Sequence, residues 1–171
     1  MTNQNFGGWA IDVECYNKIK EILPKGSTIL EFGSGTGTAE LIKDYEVYSV
    51  EHDINWVNKN GSKYIYAPLK ATLNALDVLW YDTYALKQKL PEKYDLILVD
   101  GPPSTVNNRR SREGFYWNLD LFNLDDVIII FDDIQREHDM NNMLLVANKL
   151  GRTYEIFESG EGSLKKKFGV I

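Results

Sequence analysis

The stretch that most constrains this chain is TILEFGSGTGT, Thr28 to Thr38. A short apolar run, Ile29 and Leu30, leads through Glu31 and Phe32 into Gly33, Ser34, Gly35, Thr36, Gly37 and Thr38. Buried parallel strands read as short apolar runs, and glycines at a strand's end permit a tight turn and close approach of backbone to a ligand. The following TAELIKD is helical in pattern. Its first N–H groups have no partner inside the helix and face whatever the loop holds. The pattern is that of a nucleotide-cofactor loop between a strand and a helix.

Three chemistries compete for such a loop. A phosphate cradle ends in Gly-Lys-Ser/Thr, and no Lys lies between Gly26 and Leu41. A dinucleotide fingerprint is spaced G-x-G-x-x-G, whereas the spacing here is G-x-G-x-G. Glu31, two places before Gly33, would repel a pyrophosphate but suits a ligand carrying amine and sulfonium groups. The bland alternative is tight strand–helix packing with no ligand. E-x-G-x-G-x-G resembles the first motif of the class I S-adenosylmethionine-dependent methyltransferases.

A second apolar run, VYSVEHD, closes on Glu51, twenty residues after Glu31. A carboxylate at the tip of the second strand is what bidentate hydrogen bonding to a ribose diol needs. The wider string WAID, ILEFGSGTGT and SVEHDINW is similar to a methyltransferase subgroup marked by EFGSG, then T, then EHD-x-x-W. The similarity continues through YDLILVDGPP and IIIFDDIQR, covering Trp9 to about Gly151. It implies a doubly wound, Rossmann-like seven-stranded sheet of order 3-2-1-4-5-7-6 with the last strand antiparallel and helices on both faces. It also implies cofactor contacts from Glu31, Gly33, Ser34, Gly35, Gly37, Thr38 and Glu51, with His52 at the cofactor's edge. Residues just past the third strand flank the adenine in this fold, which points to Ala67 and Leu69.

Composition fits one domain over residues 1–171. The chain is 43% hydrophobic, enough for a sizeable core. A net charge of −6, a pI near 5.0 and no long basic stretch argue against a nucleic-acid groove, where Lys and Arg must offset phosphates. Cys15 is the single cysteine, which excludes a disulfide framework or thiolate zinc cluster and makes a reducing, cytoplasmic setting the simplest inference. The start, MTNQNFGGWA, lacks the features of a signal peptide, and no run approaches bilayer-spanning length. The expected partner is a small-molecule methyl acceptor, with no nucleic acid and no membrane. An oligomer is compatible with this composition.

In chain order, residues 1–8 are expected to be a mobile lead-in, with Trp9 as a helix-entry anchor. Val13, Tyr16, Ile19, Ile22 and Leu23 fall at helical spacing before Pro24 and Gly26. INWVNKNG predicts one or two helical turns, with Trp56 a packing residue, and KYIYAP a third strand. A helix is expected from about Tyr81 to Leu90, with Lys70 to Val78 read as loop or helix. YDLILVDGPP is a fourth strand ending at Asp100, beside the switch point where doubly wound sheets bind ligands. Arg109, Arg110 and Arg112 follow, and three arginines at a site's mouth can grip a carboxylate, phosphate or acidic sugar. EGFYWNLDLF reads as helical. Val127–Phe131 is the fifth strand, EHDMNNMLLVANKLG a helix, and TYEIFE with KKKFGVI a closing hairpin whose lysines read as a solvated edge.

Asp100 and the pair Asp132–Asp133 end the fourth and fifth strands. This resembles the metal-dependent O-methyltransferases of the catechol and caffeoyl-coenzyme-A type and related sugar O-methyltransferases. There such acids hold Mg²⁺, which lowers the acceptor hydroxyl's pKa and orients it. The chain departs from the catechol type at Pro103, where that type carries a Lys that can act as base. His138 or an aspartate remains for that role. The alternative is that Asp132 caps a helix and Asp100 only contacts cofactor. The reading is S-adenosylmethionine-dependent methyl transfer to a small molecule, at oxygen, with Mg²⁺ as a further cofactor. Transfer to nitrogen or to a macromolecule, or cofactor binding without catalysis, are the alternatives.

Overall fold

In the computed structural model, residues 6, 10–105, 110–159 and 165–171 are described. The core is a seven-stranded sheet of order β3-β2-β1-β6-β7-β9-β8. Its parallel strands are β1 (Thr28–Phe32), β2 (Glu46–Glu51), β3 (Lys63–Tyr66), β6 (Leu96–Val99) and β7 (Ile128–Phe131). Strand β9 (Lys166–Val170) runs antiparallel to both β7 and the edge strand β8 (Glu155–Ser159). In main-sheet numbering this is the expected order 3-2-1-4-5-7-6.

Strands β6 and β1 are buried along nearly their whole length because helices cover both faces, which is why they read as continuous apolar runs. On one face, Ile11, Cys15, Tyr16 and Ile19 of the N-terminal segment and α1 (Val13–Ile22) pack with Leu41 of α2 (Thr36–Leu41) against Ile29, Val47, Leu96 and Leu98. The other face holds Leu30, Phe32, Ile97, Val99 and Phe131 against Met143 and Val146 of α5 (Glu137–Leu150). Phe32 is fully buried, and its ring lies 5.3–5.7 Å from those of Trp80, Tyr81, Phe115 and Phe122. Removing such a side chain costs about 3–5 kcal/mol. Helix α5 ends at Gly151, whose φ of 64° is the left-handed conformation a helix C-terminus favours.

The segment expected to be loop or helix is instead a two-stranded antiparallel hairpin, β4 (Leu69–Thr72) and β5 (Ala75–Tyr81). Its apolar spacing looked helical because two separate demands overlap. Val78, Trp80 and Tyr81 enter the core, while Leu73 and Leu76 at the tip are exposed. Helix α3 (Thr83–Lys89) follows, capped by the Asp82 carboxylate accepting from the Tyr84 amide at 3.1 Å. EGFYWNLDLF forms only one helical turn, α4 (Gly114–Trp117), between two 3-10 turns. INWVNKNG is a series of turns rather than helix. The lysine run also differs from expectation: β9 lies inside the sheet, so Lys166 and Lys167 are not on an edge strand. No helix among the described residues is long and apolar enough to cross a membrane.

Candidate functional site

The carboxyl ends of β1, β2, β6 and β7 open into one cleft of about 660 Å³. Its first half is built by the glycine loop. Gly33 adopts φ 91°, and its amide bonds to the Val50 carbonyl at 2.9 Å, turning the chain off β1. Gly33, Ser34, Gly35 and Thr36 line the cleft, whereas Gly37 and Thr38 sit behind it, Gly37 against Ile11.

Glu31 lies beneath this loop, buried, and does not reach the cleft. Its Oε1 accepts the hydroxyls of Thr38, at 2.7 Å, and Ser49, and Thr38 Oγ1 in turn accepts from the Gly35 amide at 3.0 Å. One carboxyl group thereby ties the loop, α2 and β2 together. Burial pushes its pKa up to about 7, against the lowering effect of the two hydroxyls.

Glu51 stands at the tip of β2 on the cleft wall. Its Oε1 takes the amides of His52, at 2.7 Å, and Asp53, at 2.9 Å, which leaves Oε2 uncommitted among the described residues. His52 and Asp53 line the same wall, and His52 Nδ1 lies 3.0 Å from Glu51 without an aligned hydrogen bond. Trp56, read from sequence as packing, is 40% exposed and lines the cleft, with Lys59 Nζ 4.5 Å from its ring centre. Ala67 and Leu69 do not line it. Ala67 is fully buried, its amide on the Glu51 carbonyl, and Leu69 begins the hairpin. The Tyr81 hydroxyl is buried without a hydrogen-bond partner among the described residues, and a Cβ at Gly101, on the cleft floor, would meet it at 2.5 Å.

The second half of the cleft holds Asp100, Asp132 and Asp133, whose carboxylate oxygens come within 4.8 Å of one another. Arg112 lies among them, buried. Its Nη2 donates to the Asp100 carbonyl at 2.7 Å and to the carboxylates of Asp100 and Asp133 at 3.2 Å each. Nη1 donates to the Asp132 carbonyl at 3.0 Å. Burial and Asp132 push the Asp100 carboxyl well up. Burial, then Asp133, lifts Asp132 to about 6. Asp133 is held low because Arg112 and Arg136 outweigh its burial.

The three arginines expected at the mouth part company. Arg112 is in the floor. Arg110 lies outside the cleft, paired with Glu113 at 3.0 Å and with Asp77. Arg109 falls outside the described residues, as does Trp9. Of the lead-in over 1–8 only Phe6 is described, its ring 5.0 Å from that of Tyr16. His138, the sequence candidate for base, is half exposed beside Glu113 and does not line the cleft. The cleft's further cations are instead Arg136 and Lys166, which sequence reasoning passed over. Arg136 stands three residues after Asp133, a nearness that was legible. Lys166 arrives from β9 and was hidden in a run that reads as surface.

No protein-family model matches the chain, and no curated protein matches it in sequence. Solved structures do. An O-methyltransferase from Bacillus cereus, solved with S-adenosylhomocysteine, aligns with a TM-score of 0.64 at 13% identity, covering 97% of this chain and 83% of that one. The O-methyltransferase TomG from Streptomyces achromogenes, solved with S-adenosylmethionine, gives 0.57 at 12%, covering 95% and 80%. A chain of the E. cuniculi Mtq2–Trm112 complex, responsible for methylation of the translation termination factor eRF1, gives 0.52 at 16%, covering 90% and 88%. At these identities the likeness is one of fold. The chain has the fold of the class I S-adenosylmethionine-dependent methyltransferases.

Proposed function

We propose that the protein is an S-adenosylmethionine-dependent methyltransferase acting on a hydroxyl of a small molecule. The observation that carries this is the division of one cleft into two chemistries. A glycine loop and an uncommitted Glu51 oxygen form one half, and a carboxylate cluster forms the other. The residues fit the cofactor. Glu51, held by two amides, would present its uncommitted oxygen to the ribose diol. Trp56 offers an aromatic face beside it, and the loop from Gly33 to Thr36 lets backbone approach closely. Glu31 acts from beneath, holding the loop's shape. S-adenosylmethionine, when bound, supplies an electrophilic methyl on a positively charged sulfur.

The chain's own contribution is orientation and proton transfer. Asp100 and Asp132 project from neighbouring strand tips onto the acceptor half. This carboxylate pair would accept the proton that the acceptor hydroxyl gives up on methylation. Proximity accounts for much of the rate, since two reactants held in line no longer lose translational freedom in the transition state. The pair takes the role for which sequence offered His138 or an aspartate.

Labelled S-adenosylmethionine supplied with a panel of hydroxylated, amine-bearing and protein acceptors tests the reading. Label is expected on a hydroxylated small molecule, with roughly a 10²-fold or greater loss in Asp132→Asn. Transfer only to amine-bearing or protein acceptors would overturn the proposed acceptor. Absence of S-adenosylhomocysteine binding would overturn the whole reading.

A further inference from the structure

Three aspartates at one point need a cation, because like carboxylates in a buried site repel one another. An oxygen-only cluster suits Mg²⁺, and enzymes of the catechol type use it so. Here two of the three acids, Asp100 and Asp133, are already answered from within the chain. Both oxygens of Asp133 are taken: Oδ2 by Arg112 Nη2 at 3.2 Å and Arg136 Nη2 at 2.9 Å, Oδ1 by Gln135 Nε2 at 3.1 Å. Asp100 Oδ1 is taken by Arg112 as well. The guanidinium cannot swing aside freely, because the carbonyls of Asp100 and Asp132 hold it to the tips of β6 and β7. Lys166 lines the cleft on the same side. A divalent ion among these oxygens would sit against a fixed, buried positive charge in a low-dielectric site, where repulsion is strong.

We propose that Arg112 is the resident cation of the Asp100–Asp132–Asp133 cluster, and that this cluster works without a divalent metal. The inference rests on the methyltransferase reading only for what the cluster acts upon. Arg112 is a positioning residue: it sets the charge and rotation of Asp100 and Asp133 and leaves the Asp132 carboxylate free to face the acceptor. Lys in its place would keep the charge but not the fork that spans two carboxylates and two carbonyls.

The test is thermal unfolding of the full chain in millimolar MgCl₂, in millimolar MnCl₂ and in EDTA, with Mn²⁺ binding read directly by electron paramagnetic resonance. The wild-type melting temperature should move by less than about 1 °C among these conditions, because a ligand stabilises only the state that binds it. Arg112→Met removes the charge at similar length. It should gain a rise of several degrees with Mg²⁺ that disappears when Asp132→Asn is added, while Arg112→Lys stays indifferent to metal. Metal-dependent stabilisation of the wild type that is lost in Asp132→Asn would overturn the proposal. So would a folded Arg112→Met protein that ignores Mg²⁺. Should Arg112→Met fail to fold, the Mn²⁺ titration of the wild type decides alone. Stoichiometric binding abolished by Asp132→Asn overturns the proposal, and no binding supports it. Calorimetry with S-adenosylhomocysteine on the same preparations tests the methyltransferase reading separately, and its failure leaves the charge assignment standing.

Discussion

Gly33 and Gly101 pass so closely at the floor of the cleft that Gly101 has no room for a side chain and Gly33 very little. A Cβ on Gly33 would lie 3.3 Å from the Gly101 Cα, and one on Gly101 would lie 2.9 Å from the Gly33 Cα. The first turn after β1 and the first turn after β6 therefore touch backbone to backbone. This contact brings the glycine loop beside Asp100, and so joins the two halves of the cleft.

Gly101→Ala should accordingly destabilise the protein by about 1–3 kcal/mol, the usual cost of overpacking. It should also weaken cofactor binding, since relief requires the two turns to separate. Chemical denaturation and calorimetry with S-adenosylhomocysteine check both effects. Wild-type stability with wild-type affinity would show that the contact positions nothing.

Glu51→Ala should weaken S-adenosylhomocysteine binding by about 1.5–3 kcal/mol, the range for a hydrogen bond to a charged group. The fold should survive, because the lost bonds reach only the neighbouring amides of His52 and Asp53. Unchanged affinity would remove Glu51 from the site.

Trp56 should report on the same ligand by fluorescence. If its indole covers the adenine, S-adenosylhomocysteine will change Trp56 emission, and Trp56→Ala will lose about 1–3 kcal/mol of binding, the range for a base stacked on an aromatic ring. Emission from the buried Trp80 provides the internal contrast. A ligand response that persists in Trp56→Ala would place the base elsewhere.

Glu31 makes stability depend on pH. Its folded pKa of about 7 lies above the 4.5 of an unperturbed glutamate, so the folded chain holds a proton that the unfolded chain has released. The stabilisation is complete below about pH 4.5 and is lost as pH rises through about 7. The difference corresponds to about 3 kcal/mol at 1.36 kcal/mol per pH unit. Glu31→Gln cannot ionise, so relative to wild type it should gain stability by roughly that amount between pH 4.5 and 8. Parallel slopes for the two proteins in urea unfolding across that range would refute the assignment.

Much of the fold was legible because its parallel strands are buried on both faces and so read as apolar runs ending in glycine or acid. Glu51 and Asp100 were found on the same grounds: an acid closing such a run has one place to be. The hairpin from Leu69 to Tyr81 was not legible. Its outward leucines, Leu73 and Leu76, are apolar yet exposed, and they broke the alternation that marks a strand. The arginines divided for a reason that spacing cannot carry. Arg110 and Arg112 are two residues apart, but one meets Asp77 and Glu113 outside while the other turns beneath the cleft. Lys166 was hidden because its strand enters the sheet between β7 and β8, a placement set by topology rather than by local pattern.

The cleft's two walls also differ in when they can exist. The glycine loop, Glu51 and Trp56 of the cofactor half all lie within one short, contiguous stretch of chain. The acceptor half needs β9, because Lys166 enters only when that strand inserts. There it meets Asp12 at 3.4 Å, across 154 residues of sequence. Contacts that distant are slow to find and local ones are fast. A refolding chain should thus regain affinity for S-adenosylhomocysteine before it regains an acceptor site, passing through a form that can hold the methyl donor with nowhere to deliver it.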